Sequence, residues 1–569
     1  MISRISCVLA MAMALSVTGV VSSSEAQERS RIKLVLQITV DGLRGDLLNR
    51  YGDRLGNGGF RYLLEKGAVF ANAHYSHANT ETIVGHATLA TGAFPSKHGM
   101  VGNVWFDSET GELSYNIEDP DHPLLPSRKE KVEAAQLDPA QKVSRTKGRS
   151  PVSILASTFS DELAVHTAGR SKIFAVAGKD RSSVSMAGHA GKAFWYSTDT
   201  GDYVTSSYYY DAYPEWAAKW NAKRLARSHA GKMWNLLNKP STYLLADQDD
   251  RPYETDLKGY GRTFPHPFGK ADSKLFPTLL FVSPIGDQLT NDFAKTLIEN
   301  EGLGQDDIPD YLAVGFSSAD AINHFFGPSS LENEDIVLQL DRVLADLFAF
   351  VDKKVGLKNT LIVLSADHGM PEMPELMASK GMAVGRIHTE DVIEAANAAA
   401  LSKFGIKDVA KRFFRPYLYL NDDIIKKAKV DRSVVAQAVA DTLTRKKGIA
   451  LAVASSALRH MQDTPLLRRI RNNTHPERSG DIYVVQEPYW FLFDKGPIAV
   501  MHGSPWAYDT YVPIIFSGPG IAVNTIHRAV HPADVAPTLS AYLGIKPPAS
   551  SVGEPLNEVL QSQRSDRPH

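Results

Sequence analysis

Short apolar runs recur along this chain, and stretches with helical spacing separate them. Lys33 to Val40 reads as a first strand, Lys172 to Ala177 as another, and Tyr311 to Phe316, Leu361 to Leu364 and Tyr511 to Phe516 as three more. Between them, Phe60 to Lys66 and Ile154 to Val165 carry helical patterns. Ile336, Leu340, Val343, Leu344, Leu347 and Val351 fall on one helical face, and Pro532 to Leu543 predicts a terminal helix. Strands alternating with helices predict an α/β fold with a mostly parallel sheet covered on both faces, a three-layer α/β/α sandwich. In such sheets ligands bind outside the carboxyl ends of the strands.

Two long segments interrupt this alternation, at about 184–310 and 371–490. They read as insertions forming a cap on one catalytic domain spanning 27–569. Within the first, Phe194 to Tyr210 alternates around the turn Thr198-Asp199-Thr200-Gly201. The aromatic stretch Tyr208 to Trp220 fits either a cap near a cleft or a satellite core. The second carries a small α/β pattern of its own, with a helix near Ser433 to Leu443.

At the amino terminus, Arg4 precedes the apolar run Cys7 to Val21, and Ser24-Glu25-Ala26 supplies small residues for cleavage. This reads as a signal peptide over residues 1–26, too short to span a bilayer, which takes roughly 20 apolar residues. The expected location is the periplasm or outside the cell, with no membrane span in the mature chain. Cys7 is the only cysteine, so a chain cleaved after it has neither disulfides nor thiolate ligands. Lysine and arginine total 62 against 64 for aspartate and glutamate, a net charge of -2. That balance gives no field for nucleic acid, and no nucleic-acid partner is expected.

The chemistry gathers at predicted strand ends. Asp41 ends the first strand. Asp320 and His324, four apart, share a face if their segment is helical. Asp367-His368-Gly369 follows the run Leu361 to Ser365, and His502-Gly503 precedes the last strand. Three carboxylates and three imidazoles suffice for two zinc ions with open positions, although manganese or iron would accept the same donors. Thr82 opens a helical pattern running to Ala90. A hydroxyl there is usually an N-cap; beside a metal it would be a nucleophile. Lys179 and Arg181, two apart, point the same way in an extended loop and would converge on one phosphate.

In order along the chain these motifs resemble the alkaline phosphatase superfamily, most closely its bacterial alkaline phosphatases with a threonine nucleophile. The resemblance rests on Asp41-Gly42, Thr82 four residues before His86 of Gly85-His86, and Gly102-Asn103-Val104-Trp105-Phe106-Asp107. It continues through Gly178-Lys179-Asp180-Arg181, Asp320 to His324, Asp367-His368-Gly369 and His502-Gly503. It implies two zinc ions, one held by Asp320, His324 and His502, the other by Asp41, Asp367, His368 and the Thr82 oxygen. It implies catalytic roles for Thr82, Asn103, Lys179 and Arg181, and a phosphothreonine intermediate. His86 is expected to pack or hydrogen-bond behind the helix rather than to bind metal. The expected substrates are small-molecule phosphate monoesters, since a Lys-x-Arg pair marks the monoesterases. The alternative is a phosphodiesterase or nucleotide pyrophosphatase on the same scaffold, with Tyr208 or Trp216 holding a base or lipid.

Overall fold

The computed structural model describes residues 32–107, 110–125, 138–257 and 259–561. The expected signal peptide lies outside the described residues. Nine strands form one sheet: β1 (Leu34–Val40), β2 (Ala68–His74), β3 (Ile173–Ala177), β4 (Lys192–Tyr196), β5 (Tyr203–Val204), β6 (Asp310–Phe316), β7 (Thr360–Ser365), β8 (Tyr511–Ser517) and β9 (Asn524–Ile526). Their order is β9-β2-β8-β7-β1-β6-β3-β4-β5. The central strands β7, β1, β6, β3 and β4 run parallel, while β8 pairs antiparallel with both β7 and β2.

The side chains of the central strands divide by alternation. Leu36, Ile38 and Val40 of β1, Leu312, Val314 and Phe316 of β6, and Ile362 and Leu364 of β7 enter one apolar cluster. Val35, Tyr311, Ala313, Leu361 and Val363 enter another on the opposite face. Every residue of β1, β6 and β7 is buried, as a sheet packed on both faces requires. The layers include α1 (Thr82–Thr91), α2 (Asp180–Ala187), α3 (Pro284–Glu301), α4 (Ser318–Phe326), α5 (Leu331–Lys354) and α6 (Val535–Leu543).

Register is what positions the site. Val40 pairs with Phe316, Thr39 with Ser365, and Gly315 with Ala177. Four parallel strands therefore end nearly level, and the residues that follow them emerge side by side at one rim.

The hairpin β4–β5 extends the main sheet, so the stretch read as a first insertion begins within it. The aromatic stretch beyond is core. Trp216 and Trp220 pack on Phe293 with ring centroids 5.2 and 5.1 Å away, and their indole N–H groups donate to Glu301 and Asp292. The second long segment builds a separate four-stranded antiparallel sheet (Ala410–Phe414, Tyr417–Leu420, Ile449–Ala454, Ile482–Gln486) with its own apolar cluster. No helix among the described residues is long and apolar enough to cross a membrane.

Candidate active site

Asp41 leaves the end of β1, and Asp367 and His368 leave the end of β7. Asp320 and His324 sit one turn apart on α4, directly after β6, and His502 lies on the loop before β8. These six side chains meet. Donor atoms of Asp320, His324 and His502 all lie within 4.8 Å of one another, and so do those of Asp41, Asp320 and His368. Asp367 joins the second group, its Oδ2 3.4 Å from His368 Nε2. Asp320 thus reaches both groups, whereas the resemblance assigned it to one. All are buried except His324, whose side chain is 16% exposed.

The three imidazoles share one device. His324 Nδ1 lies 3.0 Å from Val500 O, His368 Nδ1 2.8 Å from Gly369 O, and His502 Nδ1 2.9 Å from Thr80 O. A proton on Nδ1 donated to a carbonyl leaves the Nε2 lone pair facing the cluster, the tautomer a metal needs. Asp41 Oδ1, Asp320 Oδ1, Asp367 Oδ2 and His368 Nε2 are buried with no hydrogen-bond partner. Unpaired buried polar atoms cost stability unless a ligand satisfies them. The three oxygens lie 3.3, 4.0 and 3.4 Å from His368 Nε2, a grouping that fits a bound cation, and the oxygen and imidazole set suits zinc.

The field in the cluster is mixed. Lys179 Nζ spans Asp41 Oδ2 at 2.7 Å and Asp320 Oδ2 at 2.5 Å. Burial pushes the Asp320 carboxyl up, but Lys179, then His324 and His502, outweigh it and hold it well below the usual range. Asp41 is raised, by burial and by the charges of Asp320 and Asp367. Burial and the nearby His368 push His502 well down. Burial also lowers His368, yet Asp367 and the other carboxylates carry it up to about 9.

Thr82 is buried at the first position of α1, with Glu81 as N-cap residue and no side-chain cap bond from it. The Thr82 hydroxyl is therefore not a cap. The Ile83 N–H of the first turn donates instead to Asn103 Oδ1 at 3.2 Å. Gly85 lets the helix press on the Asp367–His368 loop, because a Cβ there would lie 1.9 Å from Asp367 O. Arg181 extends Nη2 to Thr82 Oγ1 at 3.4 Å and pairs Nη1 with Asp138 Oδ2 at 2.6 Å. His86 stands behind the helix, its Nδ1 2.9 Å from Thr82 O and 3.2 Å from Asp367 Oδ2. Thr82, Asn103, Lys179 and Arg181 thus surround the same rim as the six candidate ligands. His388 and His98 lie elsewhere, the first bonded to Phe493 O and the second to Thr88 Oγ1.

Several residues of the site carry no sequence signal. Arg415, from the turn between two strands of the second sheet, donates Nη1 to Gly503 O at 3.2 Å and Nη2 to His502 O, and pairs with Glu81 at 3.3 Å. Glu81 in turn accepts from Asn103 N at 2.6 Å. Asp509 accepts from Gly503 N, Ser504 N and the Ser504 hydroxyl, while its carbonyl accepts from Gly369 N. Burial pushes its carboxyl up to about 7. Together these residues lock the His502 loop to the start of α1 and to the end of β7.

A fold of this topology with paired oxygen and imidazole groups at level strand ends defines a class. The sequence profile of the type I phosphodiesterase / nucleotide pyrophosphatase family matches residues 35–505, and the chain belongs to that family, within the alkaline phosphatase superfamily. Among individual proteins, it is 34% identical to a protein named "Calcium-transporting ATPase" from Myroides odoratus, over 95% of this chain and 96% of that one. It is 32% identical to alkaline phosphatase PafA of Elizabethkingia meningoseptica, over 96% of this chain and 98% of that one. The crystal structure of wild-type PafA superposes with a TM-score of 0.84, covering 93% of this chain and 99% of that chain at 31% identity. A second PafA structure is of a mutant with a threonine changed to serine and an asparagine, a lysine and an arginine changed to alanine.

Proposed function

We propose that this chain is an exported, zinc-dependent phosphatase that hydrolyses phosphate monoesters through a phosphothreonine at Thr82. The observation that carries the reading is the convergence of six ligand-type side chains, five of them buried, near a buried threonine hydroxyl that Arg181 reaches. Asp320, His324 and His502 would hold one metal ion, and Asp41, Asp367 and His368 with the Thr82 oxygen a second. When bound, such a pair supplies the charge that lowers the pKa of the attacking hydroxyl and stabilises the leaving oxygen.

The chain's own groups do the rest. Thr82 Oγ1 attacks phosphorus in line; the new O–P bond forms as the bond to the leaving oxygen breaks. Water then cleaves the phosphothreonine, and two inversions give net retention. Asn103, Lys179 and Arg181 orient and neutralise the non-bridging oxygens, Arg181 with its two-pronged fork. Asp138 holds that fork, and Glu81 holds the Asn103 backbone. The residue types altered in the PafA mutant are the same four, which supports their assignment here. The signal-like first 26 residues support export.

A phosphodiesterase is the second reading, and the family's name favours it. Two buried cations, Lys179 on Asp41 and Asp320 and Arg181 on Thr82, favour monoesters, because a diester lacks the extra anionic oxygen they would neutralise. On zinc-loaded protein, an aryl phosphate should turn over much faster than its methyl diester, and Lys179→Ala should remove most of the monoester rate. Faster diester cleavage, with the monoester rate intact in Lys179→Ala, would refute the assignment.

A further inference from the structure

The cleft is far larger than a phosphate group needs. It encloses about 590 Å³, the size of sites that take a whole organic ligand. Its lining mixes two kinds of chemistry. Asp138, Lys142, Lys147 and Arg149 are charged, whereas Phe281, Val282, Phe325, Phe493, Ile498 and Met501 are apolar, and two of these adjoin His324 and His502 in the chain.

That apolar wall is fastened to the site itself. Phe325 follows His324 on α4, and Met501 precedes His502. The peptide between Ile498 and Met501 is stitched to His324, since Ala499 N donates to His324 O at 2.8 Å and Val500 O takes the imidazole Nδ1. The Phe493 ring lies 6.0 Å from the Arg415 guanidinium carbon that serves the His502 carbonyl. Phe281 abuts the residue before Lys179, where a Cβ on Gly178 would meet its Cε2 at 2.8 Å. All six residues belong to or pack on one apolar cluster, so the main core opens into the cleft here.

We propose that this wall is a subsite for the organic group esterified to the phosphate, and that monoesters of hydrophobic alcohols and phenols are the preferred substrate class. The inference rests on the monoesterase reading above. In an in-line displacement the leaving oxygen lies opposite Thr82, on the side of Asp320, His324 and His502, which is where the wall stands. Water held against six apolar side chains is released when an apolar group replaces it.

The test compares n-hexyl with ethyl phosphate, whose leaving alcohols have near-equal acidity, so the chemical step is matched. Each buried CH₂ is worth about fourfold in affinity, and with partial burial kcat/KM for the hexyl ester should exceed that for the ethyl ester by at least about tenfold. Hexylphosphonate should out-compete ethylphosphonate as an inhibitor by a similar ratio, which reads binding without chemistry. Met501→Gln, checked for folding by its metal content, should lower both ratios several-fold. Equal kcat/KM and equal inhibition, with both esters hydrolysed, would overturn the subsite and leave the phosphatase standing. Ratios unchanged in Met501→Gln would overturn the placement on this wall. Hydrolysis of neither ester, nor of an aryl phosphate, by zinc-loaded protein would overturn the phosphatase and the subsite together.

Discussion

The rim around Asp320 and the loop that packs His266 against α5 both bury carboxylates beside an imidazole, but they use them differently. At the rim the donor atoms converge within 4.8 Å and several have no partner. Along α5 each acid is aimed at a different part of the neighbouring loop. Glu332 meets His266 Nε2 at 3.1 Å; Asp335 accepts from Trp234 Nε1, Leu237 N and Tyr243 OH; Glu334 accepts from the Leu244 and Leu245 amides. Those acids staple the loop to the helix. The protonation differs as well. Glu254, beside Glu332, is pushed up to about 9 by burial and by that neighbour's charge, so it holds a proton at neutral pH. Asp320 is kept ionised by Lys179. Buried acid alone does not mark a site; convergence of unmatched donors on facing cations does.

Substitutions should separate the two regions cleanly. The largest effect is expected for Thr82→Ala, which should lower kcat on an aryl phosphate by at least about 10⁴-fold while bound zinc, measured by elemental analysis, stays near the wild-type level. Lys179→Ala and Arg181→Ala should each cost about 10²–10³-fold in kcat/KM for monoesters and much less for diesters, as steady-state kinetics on matched esters will show. Arg415→Met acts one step back. It frees the His502 and Gly503 carbonyls and removes the cation from Glu81, so zinc affinity in a chelator competition should fall about 10- to 100-fold.

On the other side of the comparison, Asp335→Asn should destabilise the fold by about 2 kcal/mol in denaturant unfolding, with metal content and turnover unchanged. The last effect depends on pH and concerns Glu254. Its folded pKa lies above the unfolded value of 4.5, so the folded state binds the extra proton, and stability is fully present below pH 4.5. It declines as pH rises through the window up to about 9. Glu254→Gln should flatten that decline, raising Tm relative to wild type at pH 8–9 and not at pH 4.

The candidate cluster was partly legible in the sequence because Asp41, Asp367 and His368 directly follow apolar runs that read as strands, and Asp320 comes soon after another. The spacing of Asp320 and His324 on a helix showed that they share a face. It did not show that Asp320 also leans towards Asp41 and His368, which depends on the register of β1 against β6. Arg415 was not legible. It is an isolated arginine within an insertion, and only the docking of the second sheet brings it to the His502 loop. The hairpin β4–β5 was visible as alternation, but alternation does not say which sheet a strand joins. For Tyr208 to Trp220 the composition suited cap and core equally; packing against Phe293 decided for core.

The proposed phosphatase requires the six side chains to hold two metal ions next to Thr82. Anomalous diffraction at the zinc edge, from crystals of zinc-loaded protein, tests this most directly. Two peaks are expected, one bounded by Asp320, His324 and His502, the other by Asp41, Asp367 and His368 with the Thr82 hydroxyl against it. Peaks confined to other parts of the molecule, or a rim without zinc in a protein that turns over phosphate esters, would contradict it.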